Sequence, residues 1–248
     1  MTETQPLISC ICVTRGKPLF LERAIRCFVS QTYANKQLVI LFEDDDPETA
    51  AFLKTLPPDP TFKIVEAQRS TLGQLRNMAI QAADGDFVCQ WDDDDWFHAA
   101  RLEYLYAVSV ASGRPGVVMM RWILFDATSG KGYTSHLRLW EGSILCRKNI
   151  LPTEGYENKS IGEDTSLIKG LFDDDLLYPL TQAPHLYVYV YHGGNTWNAA
   201  HWAPIFAAST RLPEETNREL AGILDQRYDP VEGSLLLDRL LGIEILEE

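Results

Sequence analysis

The sequence predicts an α/β protein built on a mixed, mostly parallel sheet flanked by helices. Strand-like and helix-like segments alternate through the first half of the chain, as successive βαβ units do. Two acidic clusters, Glu43-Asp44-Asp45-Asp46 and Asp92-Asp93-Asp94-Asp95, each close a strand-like run, and the carboxyl edge of a parallel sheet is where ligands bind. Shorter, less regular segments follow in the second half, and they read as an antiparallel addition that makes the sheet mixed.

Taken in order, residues 7–13 are a first strand, and residues 18–29 carry apolar side chains at helical spacing with Pro18 near the start. Residues 37–42 form a second strand that runs into the first acidic cluster, and a short helix follows around Glu48 to Lys54. After the loop Pro57-Pro58-Asp59-Pro60 comes a third strand over 61–65. Ser70 or Thr71 can cap a helix reaching to about Ala83, where Asp84-Gly85 stops it. Residues 87–91 are short, aromatic and β-branched, a fourth strand ending in the aspartate tetrad. A helix over about 99–111 precedes 116–125, which is long and apolar enough to read as one central strand. Residues 127–132 are a turn and 142–146 a short strand. Residues 160–172 read as a turn followed by a helix, with Glu163 and Asp164 at the helix N-terminal end, where the dipole favours carboxylates. A strand over 186–191 alternates in polarity and ends in His192-Gly-Gly-Asn-Thr-Trp197, which must turn sharply. From about Pro204 the chain is helical and acidic, and the apolar residues of 235–246 need cover from the domain or from a second subunit. The expected organisation is one domain, residues 1–203, with a helical extension over 204–248.

At 248 residues and 46% hydrophobic content the chain can bury a substantial core. Its formal charge of −13 argues against nucleic acid or an anionic membrane surface as partners. A phosphate-bearing ligand therefore needs a cation or local Arg and Lys. The first residues lack a basic and apolar leader, and no run approaches the ~20 residues of a membrane span. The expectation is a cytoplasmic protein, free or peripheral to the membrane. Five cysteines are an odd number without a Cys-x-x-Cys pair, which points to buried thiols.

Four consecutive aspartates repel one another, and a folded chain tolerates them when they are solvated or when a cation neutralises them. A solvated acidic loop is the plain reading. A divalent ion is the functional one, since Mg²⁺ or Mn²⁺ shares such carboxylates with substrate phosphates.

The ordered set of motifs resembles the family 2 glycosyltransferases of GT-A fold over roughly residues 6–197. Pro6-Leu-Ile-Ser-Cys-Ile-Cys-Val-Thr14 is similar to the family's first strand, and Ser30-Gln31-Thr32-Tyr33 to the motif after its first helix. Leu72-Gly-Gln-Leu-Arg76-Asn77 resembles the helix that leads into the metal strand, Asp92 to Asp95 stand where the DXD motif belongs, and Gly162-Glu163-Asp164-Thr165 is similar to the Glu-Asp motif.

The resemblance implies an enzyme that moves a sugar from a nucleoside diphosphate sugar, a UDP-sugar first among candidates, to a glycan, lipid-linked or protein acceptor, inverting the anomeric centre. Mn²⁺ or Mg²⁺ would stabilise the growing charge of the leaving diphosphate. Asp94 is the first choice as metal ligand. Asp92 and Asp93 would contact the metal, its waters or the ribose, while Asp95 stands behind them. Asp164 fills the role of general base, with Glu163 as the alternative. Thr14 and Glu43 or Asp44 match positions that hold base and ribose in relatives, Arg76 could reach the diphosphate, and His192 is a further candidate metal ligand. The cluster after the second strand departs from the family's Asp-Asp-Gly-Ser, and Thr14-Arg15-Gly16 replaces Thr-Tyr-Asn, which leaves the nucleotide base open.

His98 is expected to cap or pack against the following helix. Trp140, Trp197 and Trp202 divide between core and sugar-stacking roles. No Gln-x-x-Arg-Trp follows the Glu-Asp motif, which argues against a processive synthase. A nucleotidyltransferase and a non-catalytic nucleotide-sugar or cation-binding module are the alternatives, and a homo-oligomer through the C-terminal helix is a further expectation.

Overall fold

The computed structural model describes residues 5–243. The chain opens with β1 (Ile8–Thr14), α1 (Pro18–Val29), β2 (Lys36–Glu43), α2 (Pro47–Leu53), β3 (Phe62–Ala67), α3 (Leu72–Ala82) and β4 (Phe87–Gln90). These four strands are mutually parallel in the order β4-β1-β2-β3. Within β2, Leu38, Ile40 and Phe42 face one core cluster while Val39 and Leu41 face the other. Both faces of the sheet are covered, so the strand is apolar throughout instead of alternating.

After β4 the chain leaves this sheet. β5 (Trp96–Phe97) belongs to a second sheet, which makes the aspartate tetrad the corner between the two. α4 (Arg101–Ser112) leads back to β6 (Gly116–Met119), and the chain crosses again into β7 (Ile123–Asp126). The single strand expected over 116–125 is therefore two strands in two sheets. The corner is fixed because its backbone groups have separate partners. Met120 N donates to Leu180 O at 2.7 Å, and Trp122 N to Ser135 Oγ at 2.9 Å.

β8 (Lys131–Thr134) forms a hairpin with β7, and β9 (Leu145–Arg147) enters the first sheet between β4 and β6, antiparallel to both. α5 (Thr165–Asp173) and β10 (Leu177–Leu180) complete that seven-stranded sheet, β10-β6-β9-β4-β1-β2-β3. β11 (Tyr187–Tyr191) lies in the second sheet, parallel to β7 and antiparallel to β5. α6 (Ala199–Ala207) contains Pro204 in its interior, at the cost of one backbone bond. The expected start of the helical tail at Pro204, and the boundary placed there, fall inside this helix. β12 (Thr210–Arg211) then pairs with β8, and α7 (Glu214–Leu224) and α8 (Pro230–Leu241) follow. A capping box of Asp229 and Glu232 starts α8.

Leu220, Ile223, Leu224 and Leu237 of these last helices join the main core cluster, so the same chain covers them. Residues 244–246, the end of the apolar run noted in the sequence, lie outside the described residues. All five cysteines are free and buried. Among the described residues no helix is long and apolar enough to cross a membrane.

The C-terminal helices also brace the tetrad corner from behind. Ala99 N donates to Ser234 Oγ at 2.9 Å, and His98 Nε2 lies 3.2 Å from Asp238 Oδ2. Arg23 of α1 donates to the carbonyls of Asp94, Asp95 and Leu224. His98, His185 and Asp238 have the mutual spacing of metal ligands. However, Ala100 N donates to His98 Nδ1 at 3.0 Å. That leaves the proton on Nε2, directed at Asp238, and the group acts as a hydrogen-bonded anchor for α8.

Burial, reinforced by the neighbouring His98 and opposed by Asp238, holds the His185 imidazole down at about 4. Below its ordinary value of 6.5 the unfolded chain takes up a proton that the folded chain refuses until about 4. Stability from this group is therefore lost as pH falls through that window. Denaturant titrations should show a contribution of up to about 1.4 kcal/mol per pH unit, and His185→Gln should flatten that part of the profile. An unchanged slope in the variant would contradict the assignment.

Candidate functional site

A cavity of about 760 Å³ opens at the carboxyl ends of β1 and β4, between the tetrad corner on one side and the loop before α5 on the other. The four aspartates differ in what holds them. Asp92 accepts from Arg76 Nη2 at 2.9 Å and from Gln90 Nε2 at 3.1 Å. Asp95, 1% exposed, accepts from Tyr187 OH at 2.6 Å and from Val190 N at 2.9 Å, which commits it to β11. Asp94 accepts from Lys17 Nζ at 2.7 Å and lies 3.0 Å from His192 Nε2. Asp93 Oδ1 is 3.8 Å from the same ammonium.

These surroundings separate the carboxyls electrostatically. Burial, then the neighbouring Asp94, pushes Asp93 up to about 7, with Lys17 pulling the other way. Burial also acts to raise Asp94, yet the hydrogen bond from His192 and the charge of Lys17 outweigh it and hold this group down at about 2. Burial and the charges of Asp94 and Asp92 push Asp95 well above the carboxylate range. Oxygen donors from Asp92, Asp93 and Asp94 are the chemistry of a hard divalent cation, and the residues present fit Mn²⁺ or Mg²⁺.

His192 follows β11 and is seated by Phe20 of α1, ring centroids 4.6 Å apart. Gly193, at φ +80°, makes the turn that lets Gly194 N donate to His192 Nδ1 at 3.3 Å. The Nε2 proton then points at Asp94. In this arrangement the residue offered by the sequence as a metal ligand stands at the tetrad with its Nε2 facing Asp94.

Across the cavity, α3 carries three residues at helical spacing that grip the loop before α5. A Cβ on Gly73 would fall 1.9 Å from Glu157 O, so only glycine admits the loop there. Asn77 Nδ2 donates to Tyr156 O, and Asn77 Oδ1 accepts from Tyr156 N, both at 2.8 Å. Between them Arg76 donates to Glu163 Oε1 at 2.5 Å and lies 3.6 Å from Asp164 Oδ2. Glu163 is 3% exposed and turned inward to this guanidinium, whereas Asp164, at the start of α5, makes no capping bond and lines the cavity. Both candidate bases line the cavity, and Asp164 is the more exposed of the two. Arg76, expected at a diphosphate, is occupied by carboxylates of its own chain.

The first acidic cluster also divides. Thr14 and Glu43 are buried and line the cavity, and Glu43 accepts from Ser70 N at 2.9 Å and from Arg15 Nη1 at 2.5 Å. Asp44 is exposed and off the cavity wall, because the chain turns after β2, so it leaves the nucleotide set. Asp46 instead caps α2 and accepts from Gly16 N at 2.7 Å, which fixes the loop after β1.

The cavity floor is aromatic. Trp122 stacks between Trp140 and Tyr187, with centroids 4.6 and 4.1 Å away, and Tyr189 stacks on Trp202 at 4.2 Å. Trp140 and Trp202 are buried parts of this floor, while Trp197, 40% exposed, stacks on His201 at the rim. Sequence reasoning missed Lys17, which stood in a loop without a motif, and Arg101, whose guanidinium lies fully buried over Trp91, Phe97 and Tyr187 beneath the tetrad.

A mostly parallel sheet with carboxylates at the corner after β4, facing a Glu-Asp pair across one cavity, is the GT-A architecture. Residues 9–169 match the model of Glycosyl transferase family 2, and the chain belongs to that family. Among solved structures it is similar to TarS of S. aureus in complex with UDP-GlcNAc (TM-score 0.63, 13% identity, 94% of this chain and 71% of that one). It is also similar to the mannosyltransferase PcManGT of Pyrobaculum calidifontis in complex with GDP-Man and Mn²⁺ (TM-score 0.59, 16% identity, 96% and 70%). EpsH of Bacillus subtilis (strain 168), named as a glycosyltransferase, is 27% identical over 103 residues. That match covers 40% of this chain and 29% of EpsH, so the chain spans less than a third of that relative.

Replacing Arg76 by Met should cost about 3–5 kcal/mol of stability, because Glu163 and Asp92 lose the charge that compensates their burial. Arg76→Lys should recover only part, since one ammonium cannot bridge both carboxylates as the planar fork does. Chemical denaturation of the two variants measures both effects, and a loss below ~1 kcal/mol in Arg76→Met would show that the bridge contributes little.

Proposed function

We propose that the protein is a non-processive, inverting glycosyltransferase that uses Mn²⁺ or Mg²⁺ and a nucleoside diphosphate sugar, a UDP-sugar first among donors, to glycosylate an acceptor hydroxyl. The observation that carries this reading is that Asp164 and the tetrad line one cavity, with Arg76 tied to both. Family membership and the nucleotide sugars bound by TarS and PcManGT support it.

In this reading Asp92, Asp93 and Asp94 hold the cation, which when bound offsets charge on the diphosphate. His192 orients Asp94, and Thr14 and Glu43 face the nucleoside. Asp164 accepts the acceptor's hydroxyl proton as that oxygen bonds to the anomeric carbon. The bond from that carbon to the diphosphate breaks on the opposite face, and the nucleoside diphosphate leaves with the electron pair. Glu163 holds the Arg76 fork so that Asp164 stays directed into the cavity. The aromatic floor excludes water, which would otherwise compete with the acceptor.

Calorimetry with UDP, GDP, dTDP and CDP, with Mn²⁺ and with chelator, tests the donor site. One nucleotide should bind only with metal, and Asp94→Ala should abolish the binding. Absence of binding by all four would refute the transferase reading. With a donor identified, Asp164→Asn should lower kcat by roughly 10²- to 10⁴-fold with little change in the donor KM, and a variant of undiminished kcat would remove Asp164 as the base.

A further inference from the structure

We propose that Lys17 is a built-in counter-ion of the tetrad, whose ammonium holds the cation's place in the nucleotide-free protein and competes with a divalent ion for Asp93 and Asp94. This rests on the reading above that these carboxylates take such an ion. The Lys17 Nζ lies 2.7 Å from Asp94 and 3.8 Å from Asp93. Among the described residues it is the one Lys or Arg paired with either carboxylate. Arg76 is engaged by Asp92, Glu163 and Asp164, and Arg23 donates to backbone carbonyls.

The backbone carrying Lys17 is fixed. Gly16 N donates to Asp46 at 2.7 Å, Arg15 pairs with Glu43 and Asp45, and Lys17 O accepts from Leu21 N at 3.0 Å as the first turn of α1 begins. Only the side chain is free to move, a compact charge on a flexible four-carbon stem that is 27% exposed to the cavity. An ammonium and a divalent ion cannot both sit against Asp94, because their repulsion at contact distance is large in so buried a place. Metal entry therefore displaces Lys17. A diphosphate favours that exchange twice, through its own oxygen ligands to the ion and as an anion for the freed ammonium. Metal and nucleotide should thus bind with positive coupling, reciprocal by linkage.

Mn²⁺ binding followed by the electron paramagnetic resonance of the free ion, without nucleotide and then with UDP or GDP, tests this on wild type, Lys17→Met and the charge-retaining Lys17→Arg. Melting curves check that each is folded. Lys17→Met should bind Mn²⁺ roughly ten-fold more tightly without nucleotide, its enhancement by nucleotide should shrink, and Lys17→Arg should stay near wild type. Unchanged or weaker Mn²⁺ binding by folded Lys17→Met, with wild type binding normally, overturns the counter-ion role alone. No Mn²⁺ binding by any protein, with or without nucleotide, overturns the metal reading with it. A second measurement needs no variant. Acetylation of Lys17 by acetic anhydride, followed by peptide mass, should accelerate when Mn²⁺ is added to wild type, and an unaltered rate also overturns the proposal.

Discussion

The buried guanidinium of Arg76 is the interaction on which the rest of the site depends. Asp92 follows the end of β4, and Glu163 and Asp164 directly precede α5, far apart in sequence. Nothing in the sheet itself brings these loops to a common distance. Arg76 does so with two hydrogen bonds in different directions, to Asp92 at 2.9 Å and to Glu163 at 2.5 Å. Burial raises the Glu163 carboxyl, and Arg76 is the cation that opposes it. Gly73 and Asn77 flank Arg76 on the same face of α3 and fix the backbone of the loop. The helix is thus a rigid bar, with the tetrad pinned to it on one side and Asp164 on the other.

The tetrad is also not a set of equivalent charges. Asp95 is committed to β11, Asp92 is anchored to α3 while still lining the cavity, and the tetrad's backbone carbonyls are held by Arg23. Asp93 and Asp94 face the cavity beside Asp92 and share the ammonium of Lys17. A chain corner between two sheets suits this division, because β11 takes Asp95 inward while α3 reaches Asp92 from the other side. Ser234 and Asp238 of α8 hold the residues just beyond, His98 and Ala99, so the C-terminal helices contribute to a site they do not line.

Much of this was legible in the sequence, and what was not has identifiable physical reasons. The first helix occupies the span its apolar spacing defined, and β1 to β4 lie within a residue or two of expectation. Over 116–125 the chain changes sheets, and both halves are buried and apolar, so the one polar residue at the corner, Arg121, is a single interruption in a run that otherwise reads as one strand. β5 is two residues long, too short to show a period. The carboxylates of the site could be singled out, yet not sorted. Whether Asp44 or Asp46 turns inward depends on the geometry of one turn, and whether Arg76 meets a phosphate or a carboxylate depends on a loop more than 80 residues away. Lys17 carried no signal, since its role exists only through its distance to Asp94.

The net charge of −13 gives these local arrangements their consequence. On the proposed reading the donor is an anion approaching an acidic protein, and beyond a Debye length of roughly 8 Å that field is screened. The donor therefore gains little from long-range attraction, and its binding energy must come from groups inside the cavity. A divalent cation is drawn by the same field that disfavours the donor. An acidic pocket that concentrated metal without restraint would fill whether or not a donor was present. On the proposed role of Lys17, a lysine already paired with Asp94 offsets that tendency, and the arrival of a diphosphate raises the occupancy of the site.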